Sequence, residues 1–367
     1  MIRKKCYTRE WIQKISTELQ YHDVNLIEKV IRAFSLVELL ASSGCPFTWK
    51  GGTALMLLLS GTRHRLSIDV DVICPPGTEI EKYLKDFRQF SFLDVETVER
   101  IQRGTNIPKA HSKFFYKVAF RDNDARHGNI LLDVLYEDNH YNKVERLPVQ
   151  SPFIELEGEP LKVNIPSVND ILGDKLTAFA PNTSGIPYFK DNNNCNLEIA
   201  KQLYDIGRLF DRMDNLSVVA SAYDKIARVE LSYRRIEEEP SLSLKDTFDT
   251  ALCISTRGAA GQGDFTALQN GISRLRSFMY LDKYQIEQAA ADAAKAAYLA
   301  TLIRQGATSF DRYDGGSVSQ LRLSPTVPVK LGKLQLPSPE AYYYWVKISE
   351  LERSERPDKV QSAILAL

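Results

Sequence analysis

The sequence is poor in cysteine, with five in 367 residues, and none of them lies in a C-x-x-C pair. This odd, scattered set argues against a disulfide framework or a structural zinc site and favours a reducing compartment. No apolar run approaches the ~20 residues that span a bilayer, and the charged N-terminal segment lacks the apolar stretch of a signal peptide. We therefore expect a cytoplasmic protein with no membrane partner.

The sequence also lacks an excess of either charge, since Lys and Arg total 47 and so do Asp and Glu. A neutral total argues neither for nor against a nucleic-acid partner, because a basic groove can be hidden within it. If the protein binds RNA, we expect such a groove in the C-terminal part. Candidates for it are Arg228, Arg234, Arg235, Arg274 and Arg276.

Several common catalytic signatures are missing as well. The five histidines form no H-E-x-x-H motif or other cluster typical of zinc sites. The chain has no G-x-S-x-G nucleophile elbow, no G-x-G-x-x-G dinucleotide motif, no G-x-x-x-x-G-K-[ST] phosphate loop and no protein-kinase signature. These absences leave little support for hydrolase, dehydrogenase or kinase chemistry of the familiar kinds.

The apolar pattern predicts an α+β protein in two parts. Residues 1–165 combine alternating segments with segments of helical spacing, which indicates a small mixed sheet flanked by helices. Residues 166–367 have mainly helical spacing and indicate a helical C-terminal domain. The elements predicted for the first part are two amphipathic helices within 9–43, a strand at 47–50, a helix at 54–59, a strand at 65–74, a helix at 80–90, and strands at 114–120 and 130–136.

Two carboxylates lie on one face of the strand predicted at 65–74. The apolar side chains of this strand point one way, while Asp69 and Asp71 point the other. Residues two apart on a strand are roughly 6.7 Å apart at their Cα atoms. Their side chains can therefore converge on ions held about 3.5–4 Å apart, as two-metal sites require. The alternative is a half-exposed strand with ordinary solvated acids.

A glycine pair precedes this strand, in the segment Lys50-Gly51-Gly52-Thr53 between a predicted strand and a predicted helix. Glycines at this place let backbone N–H groups approach a phosphate closely, and the helix N-terminus adds a favourable dipole. A plain turn explains the pair equally well when it is taken alone. The cationic segment Arg63-His64-Arg65 between the two motifs could meet a triphosphate.

The combination of these motifs resembles the DNA polymerase β-like nucleotidyltransferase superfamily. The segment KGGTALMLLLSGTRHRLSIDVDV, residues 50–72, is more closely similar to the AbiEii/AbiGii-type toxins of abortive-infection toxin–antitoxin systems. The R-x-S-x-D-x-D pattern of these toxins is matched by Arg65, Ser67, Asp69 and Asp71. The spacer between Thr53 and Asp69 is a little longer than usual in the family.

The resemblance extends to three motifs further along the chain. The third carboxylate of the superfamily is matched by Asp133, and the lysine of an A-D-K motif by Lys175 within Gly173-Asp174-Lys175. The pattern [KR]-D-x-Y-D is matched by residues 201–205, except that Gln202 replaces the first Asp. Without the resemblance, Asp133 could be an incidental strand residue, Lys175 a solvated lysine, and Asp205 a surface acid.

The resemblance implies a transferase that moves a nucleoside monophosphate from an NTP to an acceptor hydroxyl. It implies two Mg²⁺ ions, or Mn²⁺ in their place, held by Asp69, Asp71 and Asp133. It assigns the triphosphate to Gly51, Gly52, Thr53, Arg65, Ser67 and Lys175. Asp205 would orient Lys175 or assist the hydroxyl, so the C-terminal domain would contribute both residues to the site.

In biological terms, the resemblance implies a growth-arresting toxin with a cognate antitoxin partner, and in some relatives the acceptor is the 3′ end of tRNA. Two alternatives stay open at this point. The acceptor could be a protein or a small molecule such as an antibiotic. The chain could also be a catalytically silent protein that only binds a nucleotide or a partner.

Overall fold

A computed structural model describes residues 1–61, 64–99, 109–120, 127–190, 193–237, 239–279, 284–325 and 327–354. The chain forms two compact units. The first consists of Met1–Ser167 with Ser277–Lys283, and the second of Val168–Arg276 with Tyr284–Leu367. In the described part of the chain, no helix combines the length and the apolar character needed to cross a membrane.

The first unit is built on a mixed seven-stranded sheet. Its elements are α1 (Arg9–Leu19), α2 (Val24–Ser42), β1 (Thr48–Lys50), α3 (Gly51–Leu58), β2 (Val70–Cys74), β3 (Asp94–Glu99), β4 (Lys109–Tyr116), β5 (Gly128–Tyr136), β6 (Val144–Pro148) and β7 (Lys162–Pro166). The strand order is β3-β4-β5-β2-β1-β7-β6. β2 runs parallel to β5 and antiparallel to β1, and β4 runs antiparallel to β5.

The two faces of this sheet differ in polarity because side chains alternate along each strand. On β2 and β5 the residues Val70, Val72, Leu132 and Val134 are buried, at 0–1% exposure. Helix α2, whose side chains are mostly buried, packs against both strands. The intervening residues are half-buried and lie on the opposite face. The acidic residues of β2 and β5 therefore lie on the face that does not form the core.

The second unit is mainly helical. Its elements are α4 (Val168–Ala178), a small hairpin of β8 (Phe189–Lys190) and β9 (Asn193–Asn194), α5 (Asn196–Phe210), α6 (Leu216–Tyr233), α7 (Ser241–Ser255), α8 (Phe265–Leu275), α9 (Ile286–Arg304) and α10 (Pro339–Ser354). The alanine-rich helix α9 packs against α5, α7 and α10. The small alanine side chains let the neighbouring helices pack close to the backbone of α9. The helix is therefore buried along almost its whole length.

The predicted mixed α/β architecture with a helical C-terminal region is confirmed, but some of the predicted helices and strands were wrong. The helix predicted at 80–90 is two 3₁₀ turns, Ile80–Tyr83 and Phe87–Phe90, because apolar residues three apart also suit 3₁₀ geometry. The strand predicted at 65–74 begins only at Val70. Before it, the Leu66 amide donates to the Phe278 carbonyl instead of joining the ladder.

Other strands differ in extent from the prediction or were missed. The strand predicted at 114–120 is β4, which begins at Lys109 and ends at Tyr116. The polar sequence Asp122-Asn123-Asp124 predicts a turn between this strand and the next, and it lies outside the described residues. Strands β3, β6 and β7 were not predicted, because β3 (DVETVE) is mostly polar and β6 (VERLP) and β7 (KVNIP) each have few apolar residues and end in proline.

Candidate active site

The turn between β1 and α3 requires glycine at its first helical position. Lys50 ends β1 in an extended conformation, and Gly51 then adopts a φ of +76°, which favours glycine. A Cβ atom on Gly51 would lie 2.1 Å from Oδ2 of Asp71. Lys50 and Asp71 are also register partners across β1 and β2. The glycine motif and the acidic strand are thus in direct contact.

Gly52 brings the remaining residues of the motif to the start of α3. A Cβ atom on Gly52 would lie 2.6 Å from Nη2 of Arg65 and 2.6 Å from Oγ of Ser67. Arg65 is only 2% exposed, and its Nη1 donates to the Leu66 carbonyl at 3.3 Å. The predicted residues Gly51, Gly52, Arg65 and Ser67 therefore gather around one helix N-terminus.

Thr53 anchors the acidic segment from within the same helix. Its hydroxyl donates to the backbone carbonyl of Asp69 at 2.5 Å, and the residue is fully buried. Because the side chain is committed to this bond, any contact of Thr53 with a triphosphate would come from its backbone N–H in the first helical turn. Its predicted role in nucleotide binding stays a prediction.

The three predicted carboxylates lie at one region of the sheet. Asp69 precedes β2 directly, Asp71 is its second residue, and Asp133 on β5 is the register partner of Asp71. Partners on neighbouring strands have side chains on the same face, about 4.8 Å apart. All three residues are half-buried. Asp71 and Asp133 therefore share the face of the sheet opposite the core.

The donor chemistry of the acidic residues beside α3 fits Mg²⁺. Within the described residues, no three His, Cys, Asp or Glu side chains are grouped closely enough to hold a metal. Mg²⁺ usually binds through one or two carboxylates, with water and substrate phosphates as its other ligands. Asp69 and Asp71 supply such oxygen donors beside a helix start that suits phosphates. The residues present therefore fit a magnesium ion that binds together with a nucleotide.

Sequence reasoning missed His111, which contacts the third carboxylate. His111 on β4 is the register partner of Asp133, and its Nδ1 lies 2.5 Å from Asp133 Oδ1. The alternation along β4 was a usable signal, because Ala110, Ser112 and Phe114 are all buried and leave His111 on the other face. The predicted strand began too late, at 114, to include it.

Lys175 and Asp205, the later predicted residues, pair with each other in the second unit. Nζ of Lys175 on α4 lies 3.0 Å from Oδ2 of Asp205 on α5 and donates to Oε1 of Gln202 at 2.8 Å. The side chains of Lys175 and Asp205 are 8% and 0% exposed. Gln202, which replaces the family's Asp, thus still provides an oxygen acceptor for the ammonium group. Asp205 is not the surface acid of the alternative interpretation.

Several of the arginines considered for a basic groove have partners within the protein. Arg228 pairs with Asp224 and Glu239 at 3.0 Å each. Arg234 donates to the carbonyls of Thr183 and Gly185, and Arg276 to that of Tyr284. These three side chains are bound to acidic groups or backbone carbonyls of the second unit. Their contacts lend no support to a nucleic-acid groove.

A glycine-bordered helix start joined to two acidic residues, on a mixed sheet flanked by helices, is the arrangement that the sequence resemblance predicts for a nucleotidyltransferase. The family model described as "Nucleotidyl transferase AbiEii toxin, Type IV TA system" matches residues 36–306. The chain belongs to this family, which confirms the predicted family and enzyme class. Membership implies a nucleotide substrate and an antitoxin partner.

Two solved structures from Helicobacter pylori are also similar to the chain. The first is JHP933, with a TM-score of 0.40 and 16% identity over 76% of this chain and 90% of that chain. The second carries a provisional nucleotidyltransferase assignment, with a TM-score of 0.38 and 16% identity over 76% of this chain and 94% of that chain. The search of curated proteins found no match. The assignment rests on the family match.

Proposed function

We propose that this protein is a Mg²⁺-dependent enzyme of the cytoplasm that transfers a nucleoside monophosphate from an NTP to the 3′ hydroxyl of an RNA, with tRNA as the first candidate. The acceptor oxygen forms a bond to the α-phosphorus, the bond to the departing pyrophosphate breaks, and the hydroxyl proton passes to water. The observation that carries the proposal is the contact of Gly51 with Asp71. It joins a phosphate-binding turn to the acidic strand.

The start of α3 supplies the cradle for the triphosphate. The first N–H groups of a helix have no partner within the helix, and its dipole places partial positive charge at this end. Gly51 and Gly52 carry no side chain that would keep a phosphate away from these groups. The guanidinium group of Arg65 lies against Gly52 and adds a full positive charge. Together they favour an anionic ligand at this turn.

Asp69 and Asp71 supply the opposite charge. We expect these two residues to hold Mg²⁺, which when bound would neutralise the phosphate oxygens and the charge that develops on the leaving pyrophosphate. The hydrogen bond from Thr53 fixes the backbone at Asp69, and the contact with Gly51 fixes Asp71. The protein therefore positions both carboxylates through the same turn that binds the triphosphate.

The choice of RNA as the acceptor is supported by the sequence resemblance, since some relatives act on the 3′ end of tRNA. Roles for Lys175 in phosphate binding and for Asp205 in orienting Lys175 belong to the same proposal. The 3.0 Å ion pair between the two side chains supports the second of these roles. A cognate antitoxin is the expected protein partner.

The chemistry can be tested with α-labelled NTPs, Mg²⁺ and three acceptor pools: total RNA, cell protein and aminoglycosides. We expect label on RNA, with loss of labelling on chelation of the metal. Label only on protein or on the small molecule would contradict RNA as the acceptor. Label on none of the three pools would contradict the transferase activity. Asp69→Asn and Asp71→Asn should each abolish labelling, whereas Asp138→Asn, an exposed acid of the same unit, should not. Full activity in the first two variants would contradict the predicted metal site.

A further inference from the structure

Three adjacent strands align three polar residues on the face opposite the core. Asp71 on β2 is the register partner of Asp133 on β5, and Asp133 is the register partner of His111 on β4. Neighbouring strands are about 4.8 Å apart, so the row places His111 roughly two strand spacings from Asp71. His111 therefore lies at the border of the proposed active site, and Asp133 lies between it and the acidic strand.

His111 donates a hydrogen bond to Asp133. A carboxylate only accepts, so Nδ1 of His111 must carry the proton that it shares with Oδ1 of Asp133 at 2.5 Å. Hydrogen bonds to a charged group are short and strong. The two side chains keep 36% and 38% of their surface exposed. The pair is therefore accessible to a substrate and is not closed within the core.

We propose that His111 is a positioning residue of the transferase, an inference that rests on the proposed function. By holding Oδ1 of Asp133, His111 fixes the rotation of the carboxylate about its last side-chain bond. The second oxygen of Asp133 then turns away from β4. His111 acts through Asp133, which it keeps in one orientation beside Asp71. Without His111, the carboxylate can rotate freely and spends only part of its time in that orientation.

The proposal predicts an effect on turnover rather than on NTP affinity. Removing a side chain that orients a metal-binding residue, which is the predicted role of Asp133, typically costs about 10- to 100-fold in activity. His111→Ala should lower kcat by that factor and leave KM for the NTP nearly unchanged, because the cradle at α3 is intact. His111→Asn, whose side-chain N–H can replace the Nδ1–H, should recover most of the loss. His127→Ala, an exposed histidine of the same unit, should behave as the wild type.

A double-mutant cycle distinguishes positioning from an independent role. If His111 acts only through Asp133, the His111→Ala/Asp133→Ala variant should be no slower than Asp133→Ala. Losses that multiply, an unchanged kcat in His111→Ala, or a failure of His111→Asn to recover activity would each overturn the inference. Thermal melts of every variant check that the unit stays folded.

Asp71→Asn and the wild type, measured in the same assay, separate the two proposals. An active wild type with an inactive Asp71→Asn variant supports the proposed function whatever His111→Ala does. An inactive wild type, or a fully active Asp71→Asn variant, would overturn the proposed function and the role of His111 with it.

Discussion

The carboxylate of Asp71 lies so close to the Cα atom of Gly51 that a Cβ atom there would stand 2.1 Å from Oδ2 and 2.8 Å from Cγ. The two residues are twenty positions apart in the sequence, and each belongs to a motif that is weak by itself. Their contact means that the conformation of the glycine turn and the position of the acidic side chain are fixed together. Glycine is thus required for the position of the Asp71 carboxylate, the proposed metal ligand, as well as for the turn.

Gly51→Ala should therefore impair catalysis strongly. The added methyl group cannot share space with the carboxylate, so Asp71 must move by an ångström or more. A misplacement of this size at a reacting centre can cost on the order of 100-fold in rate. We expect a loss of at least that order in NTP-dependent labelling of the acceptor, measured at saturating Mg²⁺.

Gly44→Ala is the matched control. Gly44 has a φ of +74°, close to the +76° of Gly51, but nothing lies within 4 Å of where its Cβ would be. Both substitutions introduce a left-handed alanine, which costs roughly 1–2 kcal/mol of stability. Only Gly51→Ala should lose activity. Equal losses in the two variants would show that backbone strain, and not displacement of Asp71, is responsible.

The Lys175–Asp205 pair yields a prediction that separates stability from catalysis. Both side chains are almost fully buried, so Lys175→Met takes a cationic partner away from a buried carboxylate, which costs about 3–5 kcal/mol. Lys175→Met/Asp205→Leu removes both charges and should recover most of the unfolding free energy in urea titrations. If Lys175 also binds the nucleotide, the double variant stays inactive. Recovery of activity along with stability would limit the pair to a structural role.

The local part of the site could be predicted from the sequence because its determinants are close in the chain. The alternation around Asp69 and Asp71 fixes their common face, and Gly51 with Gly52 indicates a turn into a helix. Both features depend on a few neighbouring residues. Their combination was recognisable because the family pattern has the same order, although the spacer between Thr53 and Asp69 is longer here.

The remaining parts depend on pairings between distant segments. His111 reaches Asp133 only because β4 and β5 pair in a particular register, 22 positions apart. No local pattern of spacing specifies that register. Strand β3 was missed because its sequence is mostly polar and its ladder is completed by β4. The pairing of Asp205 with Lys175 also joins distant segments, through the packing of α4 on α5, and it was expected only from the family resemblance.

A second glycine contact supports the helical unit. A Cβ atom on Gly207 would lie 1.9 Å from Oδ1 and 2.3 Å from Cγ of Asp292. Gly207→Ala should therefore push the buried carboxylate out of place and lower the unfolding free energy by about 1–3 kcal/mol, as overpacked cores do. Gly332→Ala has open space around its Cβ and should change stability little in the same denaturation experiment.

Asp292 also gives the stability a defined dependence on pH. The carboxylate is fully buried, with Nη2 of Arg208 at 2.8 Å from Oδ1, and it accepts a hydrogen bond from the Tyr284 hydroxyl at 2.9 Å. Burial raises the pKa of Asp292 above its ordinary value of 3.8, although the positive charges of Arg208 and Lys295 act in the opposite direction. The protonated form is thus relatively favoured in the folded state.

The sign of the effect follows from linkage. Because the folded pKa of Asp292 is above the unfolded value, its contribution to stability is complete below the unfolded pKa and is lost as pH rises through the folded pKa. The contributions of the other carboxyl groups cancel when the unfolding free energy of Asp292→Asn is subtracted from that of the wild type. We therefore expect the unfolding free energy of the wild type, relative to Asp292→Asn, to fall as pH rises from the ordinary carboxyl range. A difference that grows with pH would show that the attraction of Arg208 outweighs the burial of the carboxylate.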